Sequence, residues 1–222
     1  MKILKMKQGS DEWIQARLGI PTASRFNKII TAGGQLSKSS NDYMYELIAE
    51  SVIGQPCDSS KSSFMDRGTE LEQDAVDLYE FENDIDVDRV GFCLRDDGLV
   101  GCSPDGLINK DGGLEIKCPG AKNHIKYLLG DIAKEYKLQI QGGLLIAERE
   151  WWDVMSYNPV MPSKAVRVFR DDPFIKLLSD ALDKFLDQLS EAKEKINSMK
   201  VVEVPIEGWP FDEPKQNEGT KK

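Results

Sequence analysis

Polar Ser10, Asp11 and Glu12 precede Trp13 and Ile14, and the stretch closes on Gly19, the order of a capped helix over residues 10–18. A second short helix is expected after Thr22, with its exit at Gly33-Gly34 and a polar loop to Asn41. A third covers residues 41–53 and stops at Gly54. In a helix over residues 65–82, Glu72 falls on the stripe of Ala75, Val76 and Tyr79, so an acid points where apolar side chains point and needs a metal or an arginine there, or a place at the rim. Strands are expected over residues 86–95, 98–108 and 113–118, helices over 121–129 and 133–147, and two more strands over 151–157 and 165–170. A long amphipathic helix over 173–199 follows, with Leu177, Leu178, Ala181, Leu182, Phe185, Leu189 and Ile196 on a stripe expected to be core or subunit contact. The architecture expected is α/β, a central mixed sheet flanked by helices, in one domain over residues 1–211 with a polar tail over 212–222.

In the strand over residues 113–118, Leu114, Ile116 and Cys118 share one face while Glu115 and Lys117 project from the other. The preceding segment carries Asp105 within Ser103-Pro104-Asp105-Gly106, where proline and glycine turn the backbone toward that pair. Two carboxylates suit a hard divalent cation, Mg²⁺ or Mn²⁺, which takes oxygen ligands and makes water a good nucleophile near neutral pH. Lys117 would orient that water or accept its proton, with burial and nearby metal charge lowering its pKa. Taken alone, Glu115-x-Lys117 also describes a solvated surface pair.

Four blocks in order, Arg17-Leu18-Gly19-Ile20-Pro21-Thr22-Ala23-Ser24, Arg67-Gly68-x-x-x-Glu72, Ser103-Pro104-Asp105-Gly106 and Glu115-Ile116-Lys117-Cys118-Pro119, resemble the lambda-exonuclease family. These are phage recombination nucleases with a restriction-endonuclease-like PD-(D/E)xK core. The resemblance implies a 5′→3′ exonuclease that degrades one strand of double-stranded DNA from a 5′-phosphorylated end. It would leave a 3′ overhang for a single-strand-annealing protein. Asp105, Glu115 and the Ile116 carbonyl would hold the first of two metal ions, Asp105 would share the second, and Lys117 would position water, with Glu72 and Gln141 in support. Arg17 and Ser24 would bind the 5′-phosphate; on sequence alone they read as a surface salt bridge and an N-cap. Ser103, Lys122, Lys126 and Tyr136 would contact DNA. Met65 stands at the family's wedge position, though a core or interface role serves it equally. A ring-shaped homotrimer is also implied. The glycine- and serine-rich loop over residues 33–40 departs from the family in lacking basic residues before Lys38. An endonuclease or resolvase on the same core, or a catalytically silent DNA-binding module, remain alternatives.

Charge complicates the reading. A net charge of −9 opposes phosphate binding, so its distribution matters. Residues 66–90 carry ten acids against Arg67 and Arg89, whereas residues 117–137 carry five lysines against Asp131 and Glu135, a basic stretch directly after the metal motif. A single histidine, His124, expected on the surface of its helix, leaves no means to build a multi-histidine zinc site. The four cysteines form no Cys-x-x-Cys pair and are expected reduced, and the chain has no long apolar run. A cytoplasmic protein without membrane contact is the expectation.

Overall fold

The computed structural model describes residues 1–57 and 63–199, with side chains for all of these except residues 63–70. The expected loop from Cys57 therefore lies in part, and the Met65 and Arg67 side chains and the tail from Asp212 lie wholly, outside the described residues. The chain runs β1 (Lys2–Leu4), α1 (Asp11–Arg17), a 3-10 helix (Ala23–Lys28), α2 (Ser40–Ile53), α3 (Ser63–Asn83), β2 (Phe92–Leu94), β3 (Gly101–Cys102), β4 (Gly106–Ile108) and β5 (Gly112–Lys117). It continues with α4 (Ala121–Leu129), α5 (Ile132–Glu135), α6 (Lys137–Ile146), β6 (Trp151–Ser156), β7 (Lys164–Phe169) and α7 (Asp172–Asn197).

Local chemistry sets the ends of these elements. The Ser10 hydroxyl accepts from the Trp13 amide at 3.3 Å and caps α1, and Gly54 ends α2 in the left-handed region at φ 73°. Asp171 caps α7 by accepting from the Phe174 amide at 3.1 Å.

The expected strand over residues 98–108 is two strands in two sheets. β3 closes an antiparallel sheet of order β1-β2-β3, and β4 opens the mixed sheet β4-β5-β6-β7, in which β5 and β6 run parallel and the outer pairs antiparallel. Pro104 lies at the crossing, where its missing N–H interrupts any ladder, and the Asp105 amide re-enters by donating to the Leu114 carbonyl at 3.1 Å. β1 is an element the apolar-polar pattern did not announce, since three residues show too little periodicity. The expected helix over residues 133–147 breaks at Tyr136, whose backbone sits at φ −103°, ψ 17°.

The mixed sheet is covered on both faces. Leu114, Ile116 and Met155 pack with Ala75, Val76 and Tyr79 of α3. Trp152 and Val154 face the larger core of α6, α2 and α7. A buried Asp153 ties three elements together, accepting from the Tyr79 hydroxyl at 2.5 Å and from Arg167 twice at 2.9 Å. The expected surface position of His124 is corrected: the ring is fully buried, bonded through Nδ1 to the Ser156 hydroxyl at 2.7 Å and through Nε2 to the Pro162 carbonyl at 3.0 Å. Its polar neighbours in sequence lie on the other face of α4 and hid this. Among the described residues no helix is long and apolar enough to cross a membrane.

Candidate active site

Because Leu114 and Ile116 turn toward α3, Glu115 and Lys117 turn toward α6. Glu115 is 6% exposed, and its Oε1 accepts from Lys117 Nζ at 2.5 Å and from Gln139 Nε2 at 2.6 Å. Asp105, 9% exposed, arrives from the turn before β4 and accepts from the Ile116 amide at 2.5 Å. Burial, and then the charges of Glu115 and Glu72, push its carboxyl well above the ordinary value. Burial works to lower the Lys117 ammonium, but Glu115 and Asp105 outweigh it and hold it above its ordinary value. Two carboxylates face the ammonium and set this direction; burial by itself acts as expected, to lower it. Lys117 also lies 4.6 Å above the Tyr136 ring.

The two buried carboxylates, Asp105 and Glu115, form an all-oxygen donor pair, and their mutual repulsion, which adds to burial in raising Asp105, is what a divalent cation would relieve. The fit is to a hard divalent cation. Among the described residues no three His, Cys, Asp or Glu side chains group as ligands on their own. Glu72 is half-buried and pairs with Arg89, one of the partners its position called for.

Arg17 stacks on Trp13, its guanidinium carbon 4.1 Å from the ring centre, and donates to the Ser103 hydroxyl at 2.7 Å. Trp13 Nε1 donates to the same hydroxyl at 2.9 Å. Burial pulls Arg17 below its ordinary pKa, and among the described residues it has no ion-pair partner. A desolvated guanidinium without a carboxylate is suited to an incoming anion. Arg17, Ser24 and Ser103 line one small cavity, about 30 Å³, together with Glu115 and Gln139. Two glycines permit this juxtaposition. A Cβ on Gly142 would lie 2.7 Å from Phe26 of the 3-10 helix, and one on Gly143 would lie 2.9 Å from Trp152, so α6 lies close against both elements.

Gln141 requires a correction. It is buried, with Nε2 donating to the Phe169 carbonyl at 2.9 Å and Oε1 accepting from the Asp171 amide at 3.0 Å, so its amide is spent joining α6 to the start of α7. Gln139 takes the place at Glu115. Residues two apart on a helix point about 200° apart, so only one of the pair can face the carboxylate. Lys122 is exposed on α4, while Lys126 is held by Glu135 and Lys137 by Asp171 at 3.2 Å. The expected basic face is thus partly neutralised. Tyr136 is half-buried, its hydroxyl 3.1 Å from that of Tyr127.

Residues 12–150 match the YqaJ-like viral recombinase domain. An alkaline exonuclease (LHK-Exo) from Laribacter hongkongensis is 34% identical, with a TM-score of 0.77 over 85% of this chain and 96% of the other; its complex with dAMP matches equally. A phage-related exonuclease from Haemophilus somnus 129PT shares the fold at 13% identity, with a TM-score of 0.64 over 80% of this chain and 96% of that one. No match is found among curated proteins.

Proposed function

This chain belongs to the lambda-exonuclease family of phage alkaline exonucleases and YqaJ-like viral recombinases, and is on that ground a DNA exonuclease with a PD-(D/E)xK fold; from this premise we propose a metal-dependent 5′→3′ exonuclease on double-stranded DNA. The observation that carries the direction is the shared cavity, in which Arg17 and Ser24 stand beside Glu115 and Gln139. An anion held by the guanidinium sets the end of the strand one short step from the carboxylates, and so selects which phosphodiester is presented.

Asp105, Glu115 and the Ile116 carbonyl would hold Mg²⁺ or Mn²⁺, two ions per site with Asp105 shared. Bound there, the cations supply Lewis acidity toward the phosphate and lower the pKa of water. The residues of the chain do the rest. Arg17 and Ser24 grip the terminal 5′-phosphate, with Ser103 fixing the Arg17 fork. Lys117, held between Glu115 and Tyr136, orients the attacking water by hydrogen bonding, a task suited to an ammonium that stays charged. Gln139 fixes the Glu115 rotamer. Glu72 adds negative charge behind Asp105, and Arg89 restrains it. Tyr136 and Lys122 contact the DNA backbone, and Lys126 does so by exchanging Glu135 for phosphate. Met65 is proposed as the wedge.

The partners proposed are duplex DNA with a 5′-phosphate, two further copies of the chain in a homotrimeric ring, and a single-strand-annealing protein that takes the 3′ overhang, all in the cytoplasm. The relative crystallised with dAMP bound a nucleoside monophosphate, the class of product this reaction releases. Digestion of linear duplexes carrying one label at a time, with and without EDTA, tests the reading. A 5′ label released first as mononucleotide, only without EDTA, is expected. Release from the 3′ end, internal cuts or EDTA-resistant cleavage would overturn it.

A further inference from the structure

A second cavity, open to solvent and about 630 Å³, lies between the segment after β1, residues 88–90 and β4. It shares no lining residue with the cavity that holds Arg17. Lys5, Lys7, Arg89 and Arg149 line it against one acid, Asp88, in a chain whose net charge is −9. Arg89 is paired with Glu72, but among the described residues Lys5, Lys7 and Arg149 have no ion pair, and the buried Arg149 Nε has no hydrogen-bond partner. Cations without an acidic partner on the wall of an open cavity suit phosphate oxygens as acceptors. The rest of the wall is apolar, with Ile3, Met6, Val90 and Leu107.

The wall of the cavity is joined through the backbone to the turn that presents Asp105. Asp88 and Leu107 exchange backbone hydrogen bonds of 2.8 and 2.9 Å, which sets the wall on the strand that follows Asp105. The Gln8 side-chain amide donates to Val90 O at 3.0 Å and Pro104 O at 2.8 Å, fixing the Lys5–Lys7 segment to the turn that presents Asp105. Its volume falls within the few hundred to about 1,000 Å³ typical of small-ligand sites, the size of a nucleotide unit or two. Duplex DNA offers phosphates outward and keeps its base faces stacked, so an apolar wall beside cations suits a strand whose bases are unpaired.

We propose that this cavity binds one or two nucleotides of the unpaired DNA strand, phosphates on Lys5, Lys7 and Arg149 and a base on the Met6–Val90–Leu107 wall. The proposal rests on the exonuclease reading, which generates such a strand beside Asp105, but it is tested without cleavage. Fluorescence anisotropy of a labelled single-stranded oligothymidylate lacking a 5′-phosphate, with the full chain in EDTA, is measured over a range of salt. Lys5→Ala/Lys7→Ala should weaken binding and make the log–log salt slope shallower by about 1.4, at ~0.7 per lost phosphate contact. Lys5→Arg/Lys7→Arg should restore the slope, which separates charge from misfolding. The same slope in the alanine variant and the wild type would overturn the proposal. So would an equal loss on blunt duplex, or displacement of the oligonucleotide by dTMP at matched nucleotide concentration, which would indicate a site for general backbone contact or free nucleotide. A protein that fails to digest labelled duplexes but passes this binding test would lose the exonuclease reading and keep the strand site.

Discussion

Gln139 and Lys117 donate to the same oxygen of Glu115, Oε1, at 2.6 and 2.5 Å. Among the described residues Oε2 takes no hydrogen bond, so one carboxylate oxygen is held in place and the other is open to the proposed cation. Hydrogen bonds to a charged group contribute about 1.5–3 kcal/mol. Gln139→Ala should therefore lower kcat on the order of tenfold to a hundredfold with little change in melting temperature. Gln141→Ala should do the opposite, lowering stability by about 1–3 kcal/mol because a backbone carbonyl and amide lose their partner, while kcat is spared. Thermal melting beside initial rates separates the two.

How much of this was legible beforehand differs by element. The alternation of β5 put Glu115 and Lys117 on one face, as they stand in the structure, because Leu114 and Ile116 pack on α3 while Glu115 meets Gln139 of α6. Helix starts and stops were equally plain where a capping side chain or a left-handed glycine marks them, as at Ser10 and Gly54. The phase of α6 was not, because the break at Tyr136 resets the helix and decides which glutamine faces the site. His124 was concealed by charged neighbours on a nine-residue helix whose buried face depends on β6. The two-sheet division of residues 98–108 depends on β3 pairing back with β2 while β4 pairs forward with β5, a choice of opposite partners that the apolar-polar pattern of the segment does not encode. The cavity joining Arg17 to Glu115 required tertiary structure, although both residues stood out in the sequence.

Lys117→Ala should retain DNA binding and cleave on the order of tenfold to a hundredfold more slowly, since a charge-assisted hydrogen bond that orients water contributes about 1.5–3 kcal/mol. Single-turnover rates with saturating enzyme give the chemical step, and gel shifts in Ca²⁺ give binding. Loss of binding with the chemical step intact would make Lys117 a phosphate contact.

Asp105→Asn or Glu115→Gln should abolish cleavage and also the rise in melting temperature that Mg²⁺ is expected to give the wild type. A thermal-shift titration checks this without a nuclease assay. Variants that still respond to Mg²⁺ would move the cation elsewhere.

Acid stability gives a separate check on the fold. The Phe174 amide, and then Lys137, hold the Asp171 carboxyl below its ordinary value of 3.8. A depressed folded value means that the unfolded chain binds the proton more readily, so the contribution is present above the ordinary value and is lost as pH falls through the lower one. Asp171→Ala should lower the melting temperature at neutral pH and flatten its fall below about pH 4.

Lys122, free of an acidic partner among the described residues, should matter more to DNA than Lys126, which Glu135 holds. Lys122→Ala should make the log–log salt slope of duplex binding shallower by about 0.9 and Lys126→Ala by less. Light scattering of the same samples should give three subunits, and a monomer at working concentration would refute the ring.

The central claim, that Arg17 and Ser24 capture a 5′-phosphate and so set the direction of attack, is tested most directly by initial rates on matched duplexes ending in 5′-phosphate or 5′-hydroxyl. Charge-assisted hydrogen bonds to Arg17 are worth about 1.5–3 kcal/mol, so wild type should start on the hydroxyl end on the order of tenfold to a hundredfold more slowly. Arg17→Ala should slow only the phosphorylated substrate and erase the difference. Equal wild-type rates on the two ends, or an Arg17→Ala variant that slows both alike, would contradict the phosphate pocket and with it the 5′→3′ assignment.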